Sequence, residues 1–181
     1  DAYAAKACLL CIAADKQRAT EDLPNARRAY ELNPNSMWSV TALAVSEMCT
    51  GLPDEAIAHL HEGMRLNPRD PLRANSYALL SMCHVLTGDY GRGVEYARLG
   101  IADAPGLAQL HGHLAMNLVG LGDIAAAQGA CAEAQRLSPA WVKHCLAGRI
   151  VYRKPEHVRR TTAFLRIAAG LEDPSAADAL R

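Results

Sequence analysis

Apolar residues recur at helical spacing along most of the chain, and proline interrupts the helical runs at regular intervals. Four of these prolines stand 34, 37 and 34 residues apart. Proline cannot donate a backbone hydrogen bond and it restricts the residue before it, so a helix should end just before each one. A fixed period in the thirties is typical of a solenoid built from stacked repeats. The four prolines are Pro34, Pro68, Pro105 and Pro139.

Each repeat divides into two helices at a glycine. When the proline is placed at repeat position 32, three repeats begin at Met37, Ala74 and Ala108, with a glycine at position 15 of each. Glycine tolerates the left-handed conformation that ends a helix, and the aspartate that follows can cap the second helix or lie in its first turn. Small residues at positions 20 and 27 would let the two helices approach closely. The residues are Gly51, Gly88 and Gly122, then Asp54, Asp89 and Asp123, then Ala56, Gly63, Gly93, Gly100, Ala127 and Ala134.

A weaker repeat precedes these three and a different pattern follows them. Residues 3–34 fit the earlier repeat, with a proline in the first turn of its second helix. Beyond Pro139 we predict two helices that close the exposed end of the solenoid. The last of them should turn Arg159, Arg160 and Arg166 outward and Val158, Thr162, Leu165 and Ala169 inward. The predicted organisation is one all-α domain with units at about 3–36, 37–70, 71–107 and 108–141, capping helices over 142–172 and a frayed tail over 173–181.

The period, the mid-repeat glycine, the small residues and the terminal proline together resemble the tetratricopeptide repeat. This resemblance implies an α-solenoid of antiparallel helix pairs in a right-handed superhelix, with the first helix of each pair lining a concave groove. In such arrays repeat positions 2, 5, 6, 9, 12 and 13 point into the groove. The implied partner-binding residues are Trp38, Asn75 and Gln109 at position 2, His113 at position 6, Val45, Met82 and Met116 at position 9, and Met48 and Val85 at position 12.

A narrower resemblance is carried by residues 66–73, 88–90, 94–98 and 152–158. These stretches are similar to tetratricopeptide regions that follow class III adenylate or guanylate cyclase domains in bacteria. Related regions follow winged-helix domains of transcriptional activators. The resemblance implies a regulatory or scaffolding part of a larger bacterial signalling or transcription-regulating protein. It covers no catalytic domain, so cyclase activity does not carry over and we expect no enzyme activity.

The predicted groove carries a stripe of methionine and valine with a tryptophan near one end. Methionine surfaces adapt to varied peptides, and an exposed apolar stripe of this size usually has a partner. The same residues could instead pack as core between neighbouring first helices. We interpret the chain as a module that binds a protein, a peptide or another domain of the same polypeptide, with self-association as a dimer the alternative. If the stripe is open, changing Met82 and Met116 together to Glu should abolish binding and leave the fold intact.

Other candidate chemistry finds little support in the sequence. Two histidine pairs have members two residues apart, which do not share a helical face, and Cys8-x-x-Cys11 is half of a zinc motif without a second half. No nucleophile elbow or glycine-rich phosphate loop is present, so we predict no catalytic residue, cofactor or metal. His113 could add pH sensitivity to the groove. The residues that grip a C-terminal carboxylate in chaperone-binding members of the family are replaced here by Thr41, Val45, Leu79, Gln109 and His113.

Composition narrows the function further. The 19 basic and 19 acidic residues balance, which leaves no electrostatic footprint for nucleic acid or anionic lipid. No apolar run approaches the roughly 18–20 residues of a membrane span, and no secretory signal is visible. The six cysteines lie in apolar helical stretches, as expected of core thiols in a reducing compartment. We therefore expect a cytoplasmic location, no membrane and no direct contact with nucleic acid.

Overall fold

The structure, a computed structural model, describes residues 22–150 and 152–181. The weaker repeat over residues 3–34 predicts a first helix near residues 4–14, and this stretch, with Cys8 and Cys11, lies outside the described residues. In the described part, no helix is long and apolar enough to cross a membrane. The same part forms nine α-helices and one short 3₁₀ helix, Pro174–Ala177. The α-helices are α1 Leu23–Leu32, α2 Met37–Thr50, α3 Pro53–Leu66, α4 Arg73–Thr87, α5 Tyr90–Asp103, α6 Ala108–Leu121, α7 Ile124–Leu137, α8 Pro139–Leu146 and α9 Pro155–Ala168.

Helices α2 to α7 form three antiparallel pairs, each with a first helix (α2, α4 or α6) and a second helix (α3, α5 or α7). Only two residues join the helices of a pair. The first of the two is a glycine in the left-handed conformation, with φ of +94° at Gly51, +87° at Gly88 and +84° at Gly122. The predicted turn glycines are therefore confirmed, because side chains with a Cβ rarely adopt this conformation.

Aspartates begin the second helices as predicted. The Asp89 carboxylate accepts a hydrogen bond from the Arg92 backbone N–H at 3.4 Å, and Asp123 accepts one from Ala126 at 3.1 Å. Asp54 lies instead in the first turn of α3, directly after Pro53, where its charge faces the positive end of the helix. Two of the three aspartates are thus true caps and the third acts through its charge.

Small residues allow close packing between the two helices of a pair and between neighbouring pairs. A β-carbon at Gly63 would lie 2.7 Å from Val40 Cγ1, and one at Gly100 would overlap the Leu110 side chain. These positions leave no room for a larger residue, so the close approach expected from repeat positions 20 and 27 is confirmed. All six of the small residues are buried: Ala56, Gly63, Gly93, Gly100, Ala127 and Ala134.

The C-terminal region differs from the prediction. Pro139 begins a helix rather than lying between helices, since it is the first residue of α8 and the Ser138 hydroxyl caps that helix by accepting from the Trp141 N–H at 3.4 Å. The connecting segment, residues 147–150 and 152–154, then turns back at Gly148, whose φ is +66°. Its Arg153 N–H donates to the Cys49 carbonyl at 2.8 Å, at the end of α2. From there α9 packs against α4, α6 and α7, so it does more than close the end of the solenoid.

Two arginines fix α9 and the tail to the ends of the first helices. Arg160, predicted to point outward, donates from Nη1 to the Leu86 carbonyl at 2.6 Å. Arg181 donates from Nη2 to the Val119 carbonyl at 3.2 Å. Each guanidinium thus lies at the negative, C-terminal end of a first helix, a favourable place for a cation. The tail over 173–181 is not frayed, because Ala177 is fully buried and the Leu180 carbonyl accepts from Arg160 Nε at 2.8 Å.

The inward face of α9 also differs from the prediction. Of the residues expected to face inward, only Leu165 is buried, while Val158, Thr162 and Ala169 are half-buried. Val158 and Ala169 still pack against the hydrophobic core, so the face that α9 buries is wider than predicted rather than turned away from it. The buried residues are His157, Thr161, Phe164, Leu165, Ile167 and Ala168.

The cysteines of the described part behave as core residues. Cys49, Cys83, Cys131 and Cys145 are all buried among the helices. Burial raises the pKa of the Cys145 thiol to about 12 and that of Cys83 still further. A thiol with such a pKa stays protonated at neutral pH and is unreactive.

Candidate functional groove

A groove with a volume of about 500 Å³ lies along the first helices. Its walls come from α2, from the N-terminal halves of α4 and α6, from α8 and from the connecting segment. The volume falls within the range of about 300–1,000 Å³ that is typical of ligand pockets. The lining residues are Thr41, Val45, Met48, Cys49, Asn75, Ala78, Leu79, Leu107, Gln109, His113, Trp141, His144, Cys145, Arg149, Ile150 and Tyr152.

Five of the nine residues assigned to partner binding line this groove together. They come from three different first helices, so the repeat geometry brings them to one surface. Their position follows from the repeat numbering, and their role in binding remains a prediction. The five are Val45, Met48, Asn75, Gln109 and His113.

The other four residues do not belong to the groove. Met82, Val85 and Met116 are only 3%, 0% and 2% exposed. The prediction that they form an open stripe in the groove is therefore wrong, and they belong to the core. They share one buried cluster with Tyr152 of the connecting segment and with Phe164 of α9. The reason is that α9 packs on α4 and α6 and covers the C-terminal parts of these helices. Trp38 is 54% exposed and lies outside the groove lining.

His113 is a neutral group in the groove wall. Burial lowers its pKa to about 4, despite the hydrogen bond that its Nδ1–H donates to the Ala78 carbonyl at 2.9 Å. Its ring also meets the Trp141 ring edge to face, with 6.0 Å between the centroids. With Nδ1 carrying the proton, Nε2 is an acceptor. The histidine therefore offers a ligand an acceptor rather than a positive charge at neutral pH.

Three polar side chains of the groove lack a hydrogen-bond partner within the described residues. Asn75 and Gln109 occupy the same position in successive repeats, and neither carboxamide is engaged. Thr41 is only 8% exposed, yet its hydroxyl has no partner. The Thr41 hydroxyl oxygen has almost no exposed surface, so the two carboxamides are the polar groups that a ligand can reach.

The charge of the groove has one sign. Arg149 is exposed and forms no ion pair in the described part of the chain, and His144 is half-buried beside it on α8. No Asp or Glu is found among the described residues that line the groove. A cleft lined by one sign of charge concentrates ligands of the opposite sign.

These groups suit recognition better than chemistry. Cys145 lines the groove, but with a thiol pKa of about 12 it is not a thiolate nucleophile at neutral pH. His113 titrates near pH 4, too low for a general base that is poised near neutrality. Across residues 22–150 and 152–181, no three or more His, Cys, Asp or Glu residues are grouped so as to hold a metal ion.

The groove also includes residues of α8 and of the connecting segment, which the sequence did not predict. The Trp141 ring lies so close to Gly112 that a β-carbon at position 112 would overlap it. A glycine inside a helical pattern often marks such a close approach, so Gly112 was a signal that something packs on α6. No feature of the sequence indicated that Arg149 and Tyr152 would line the groove beside the first helices.

Comparison with known proteins identifies the fold. No family model matches the sequence, and no curated protein matches it either. Solved structures do match: the crystal structure of MamA is 19% identical, with a TM-score of 0.59, over 90% of this chain and 96% of that chain. TTC0263, a thermophilic TPR protein of Thermus thermophilus, is 17% identical, with a TM-score of 0.62, over 91% of this chain and 89% of that chain. The fold is a tetratricopeptide solenoid.

A third match is YrrB, described as a TPR protein with an unusual peptide-binding site. It is 15% identical, with a TM-score of 0.56, over 94% of this chain and 84% of that chain. At such identities the matches establish an all-α tetratricopeptide architecture and do not identify a ligand.

Proposed function

We propose that this chain is a protein–protein interaction module and that its groove binds a peptide or a domain, either of another protein or of the same polypeptide. The observation that carries the proposal is the groove of about 500 Å³, in which apolar walls surround unengaged carboxamides. Apolar pockets with a few convergent polar groups are the usual form of binding sites. The peptide-binding site of YrrB supports the same use of this fold.

A wider context is part of the proposal. The resemblance of residues 66–73, 88–90, 94–98 and 152–158 to regions beside cyclase and winged-helix domains supports a regulatory role in a larger bacterial signalling or transcription-regulating protein, acting in the cytoplasm. An antibody against this domain should then detect, in cells of the source organism, a protein much larger than 19.4 kDa. A single band at that mass would contradict the wider context and leave the groove unaffected.

Self-association is not the function that we propose. The dimer alternative places the interface at the groove or at the terminal helix, and its support from an open methionine stripe is lost because Met82 and Met116 are buried within the chain. Light scattering of the purified protein provides the check, with a monomer as the expected result.

Site-specific photo-crosslinking tests groove binding in living cells. A photoreactive phenylalanine at position 75, in the groove, should give an adduct, whereas the same residue at the exposed position 98, on α5, should not. Adding Gln109→Trp to the first protein should remove the adduct by filling the groove. Equal adducts at both positions, or an adduct that survives Gln109→Trp, would refute groove binding. Mass spectrometry of the adduct then distinguishes another protein, the same polypeptide and a second copy.

A further inference from the structure

We propose that the occupant of the groove is a short acidic peptide segment, bound in an extended form with an Asp or Glu side chain against Arg149 and His144. The inference rests on the proposed function above and names the ligand class for that site. It assigns the charged part of recognition to the connecting segment and α8, outside the three complete repeats.

The charges of the groove are the first observation that supports an acidic ligand. Arg149 is exposed and is the one described arginine that lines the groove. Like Arg98 on α5, it has no ion-pair partner in the described part of the chain, so its position rather than its lack of a partner sets it apart. No described lining residue is acidic, so nothing within the groove neutralises Arg149 or repels a carboxylate. Arginine presents a rigid fork of donors that fits a carboxylate with two parallel hydrogen bonds. A carboxylate is therefore the anion that this part of the groove fits best.

The unengaged polar groups carry the second step. Asn75 and Gln109 can each donate and accept, which matches the alternating N–H and C=O groups of an extended peptide backbone. A helical ligand has already used these backbone groups and would leave both carboxamides unpaired.

The apolar walls carry the third step. Met48, Leu79 and Trp141 line the same groove, so a ligand side chain next to the carboxylate should be apolar. Methionine and tryptophan are suited to this, since the first adapts its shape and the second contributes a large contact area. A free inorganic anion would leave these walls without contact.

The fold holds the charged wall in place before any ligand binds. Arg149 follows Gly148 and its backbone N–H donates to the His144 carbonyl at 3.3 Å. Farther along the connecting segment, Tyr152 is buried and the Arg153 N–H donates to the Cys49 carbonyl at 2.8 Å. A site that is already ordered avoids part of the entropy cost of binding.

Selection from a random heptapeptide library displayed on phage provides the test. The full chain is the target, and the peptides carry no free carboxyl terminus, so only side-chain carboxylates are sampled. The selected pool should be enriched in Asp and Glu beside apolar residues. One selected acidic heptapeptide, labelled with fluorescein, should bind R149E at least about tenfold more weakly than the unchanged protein. The charge-matched control R98E, on the exposed face of α5, should bind it as the unchanged protein does.

A groove-filling variant separates the two proposals. Gln109 lines the groove, so Q109W should fill the site, and circular dichroism can verify that the variant keeps its helices. Peptides that Q109W excludes, but that show no acidic preference or no loss with R149E, would overturn the acidic ligand and keep groove binding. Peptides that bind Q109W normally, or a library that yields no enrichment, would overturn both proposals.

Discussion

Replacing Gly93 by alanine tests the tightest seam of the solenoid, where α5 meets α6. A β-carbon at position 93 would overlap the carboxamide of Asn117. Asn117 is fully buried, and its Nδ2 donates to the Ser81 carbonyl at 3.1 Å and to the His113 carbonyl at 2.9 Å. The Ser81 hydroxyl in turn donates to the Gly93 carbonyl at 2.8 Å. An added methyl must therefore separate two helices or move Asn117 away from its acceptors.

The magnitude follows from three opposing contributions. Alanine is favoured over glycine inside a helix by about 1 kcal/mol. Overpacking costs about 1–3 kcal/mol, and lost hydrogen bonds of a buried amide cost about 1–3 kcal/mol more. The net loss of unfolding free energy for Gly93→Ala should be about 3 kcal/mol. Gly91 is the matched control because it lies in the same helix, is exposed, and a β-carbon there would meet no atom within 4 Å.

Urea unfolding followed by circular dichroism at the helix band measures both variants. Gly91→Ala should raise the midpoint, in line with a gain of about 0.5–1 kcal/mol, while Gly93→Ala should lower it. A second change, Asn117→Ala, should cost less in the Gly93→Ala background than in the unchanged protein, because the overlap has already disturbed the amide. The reasoning is refuted if Gly93→Ala is as stable as the unchanged protein, or if both glycine variants shift the midpoint equally.

Three further predictions concern the core, the C-terminal contacts and pH. Met82→Glu should abolish cooperative unfolding because it buries a charge, and an intact melting transition would contradict its core position. Arg160→Ala should cost about 1.5–3 kcal/mol and expose the tail to limited proteolysis, and Arg160→Lys should not restore resistance. Burial lowers the pKa of His113 from 6.5 to about 4, so its contribution to stability is present above pH 6.5 and falls by ~3 kcal/mol toward pH 4. Against the unchanged protein, His113→Gln should lose less stability over that interval in urea titrations, and parallel curves would contradict this.

The parts of the fold that the sequence predicted are those whose causes are local. A glycine such as Gly88, with φ of +87°, is demanded by the turn itself, whatever packs around it. The same holds for Asp89, whose carboxylate satisfies a backbone N–H three residues away. The period of these residues then fixes how often the helix pairs recur. Repeat boundaries could therefore be derived from residue types and spacing alone.

A helix that is distant in sequence decides which of two equivalent repeat positions lies in the groove and which lies in the core. Val45 and Met82 occupy the same position in successive repeats, yet the first lines the groove and the second is buried. The difference arises because α9 packs on α4 and α6. The contact between α9 and α4 joins Arg160 to Leu86, which are 74 residues apart in sequence. Repeat numbering assigns the same environment to equivalent positions. It cannot predict which of them a later, unrelated helix will cover.

The specificity of the groove follows from the same non-repetitive region. The repeats supply carboxamides at equivalent positions, Asn75 and Gln109, which suit many peptide backbones. The features that would discriminate among peptides, the charge of Arg149 and the aromatic wall of Trp141, come from α8 and the connecting segment, after the last helix pair. Two chains with the same repeats but different continuations should therefore bind different ligands. Transplanting residues 139–154 between such solenoids, rather than exchanging first-helix residues, is the change that should transfer preference for an acidic ligand.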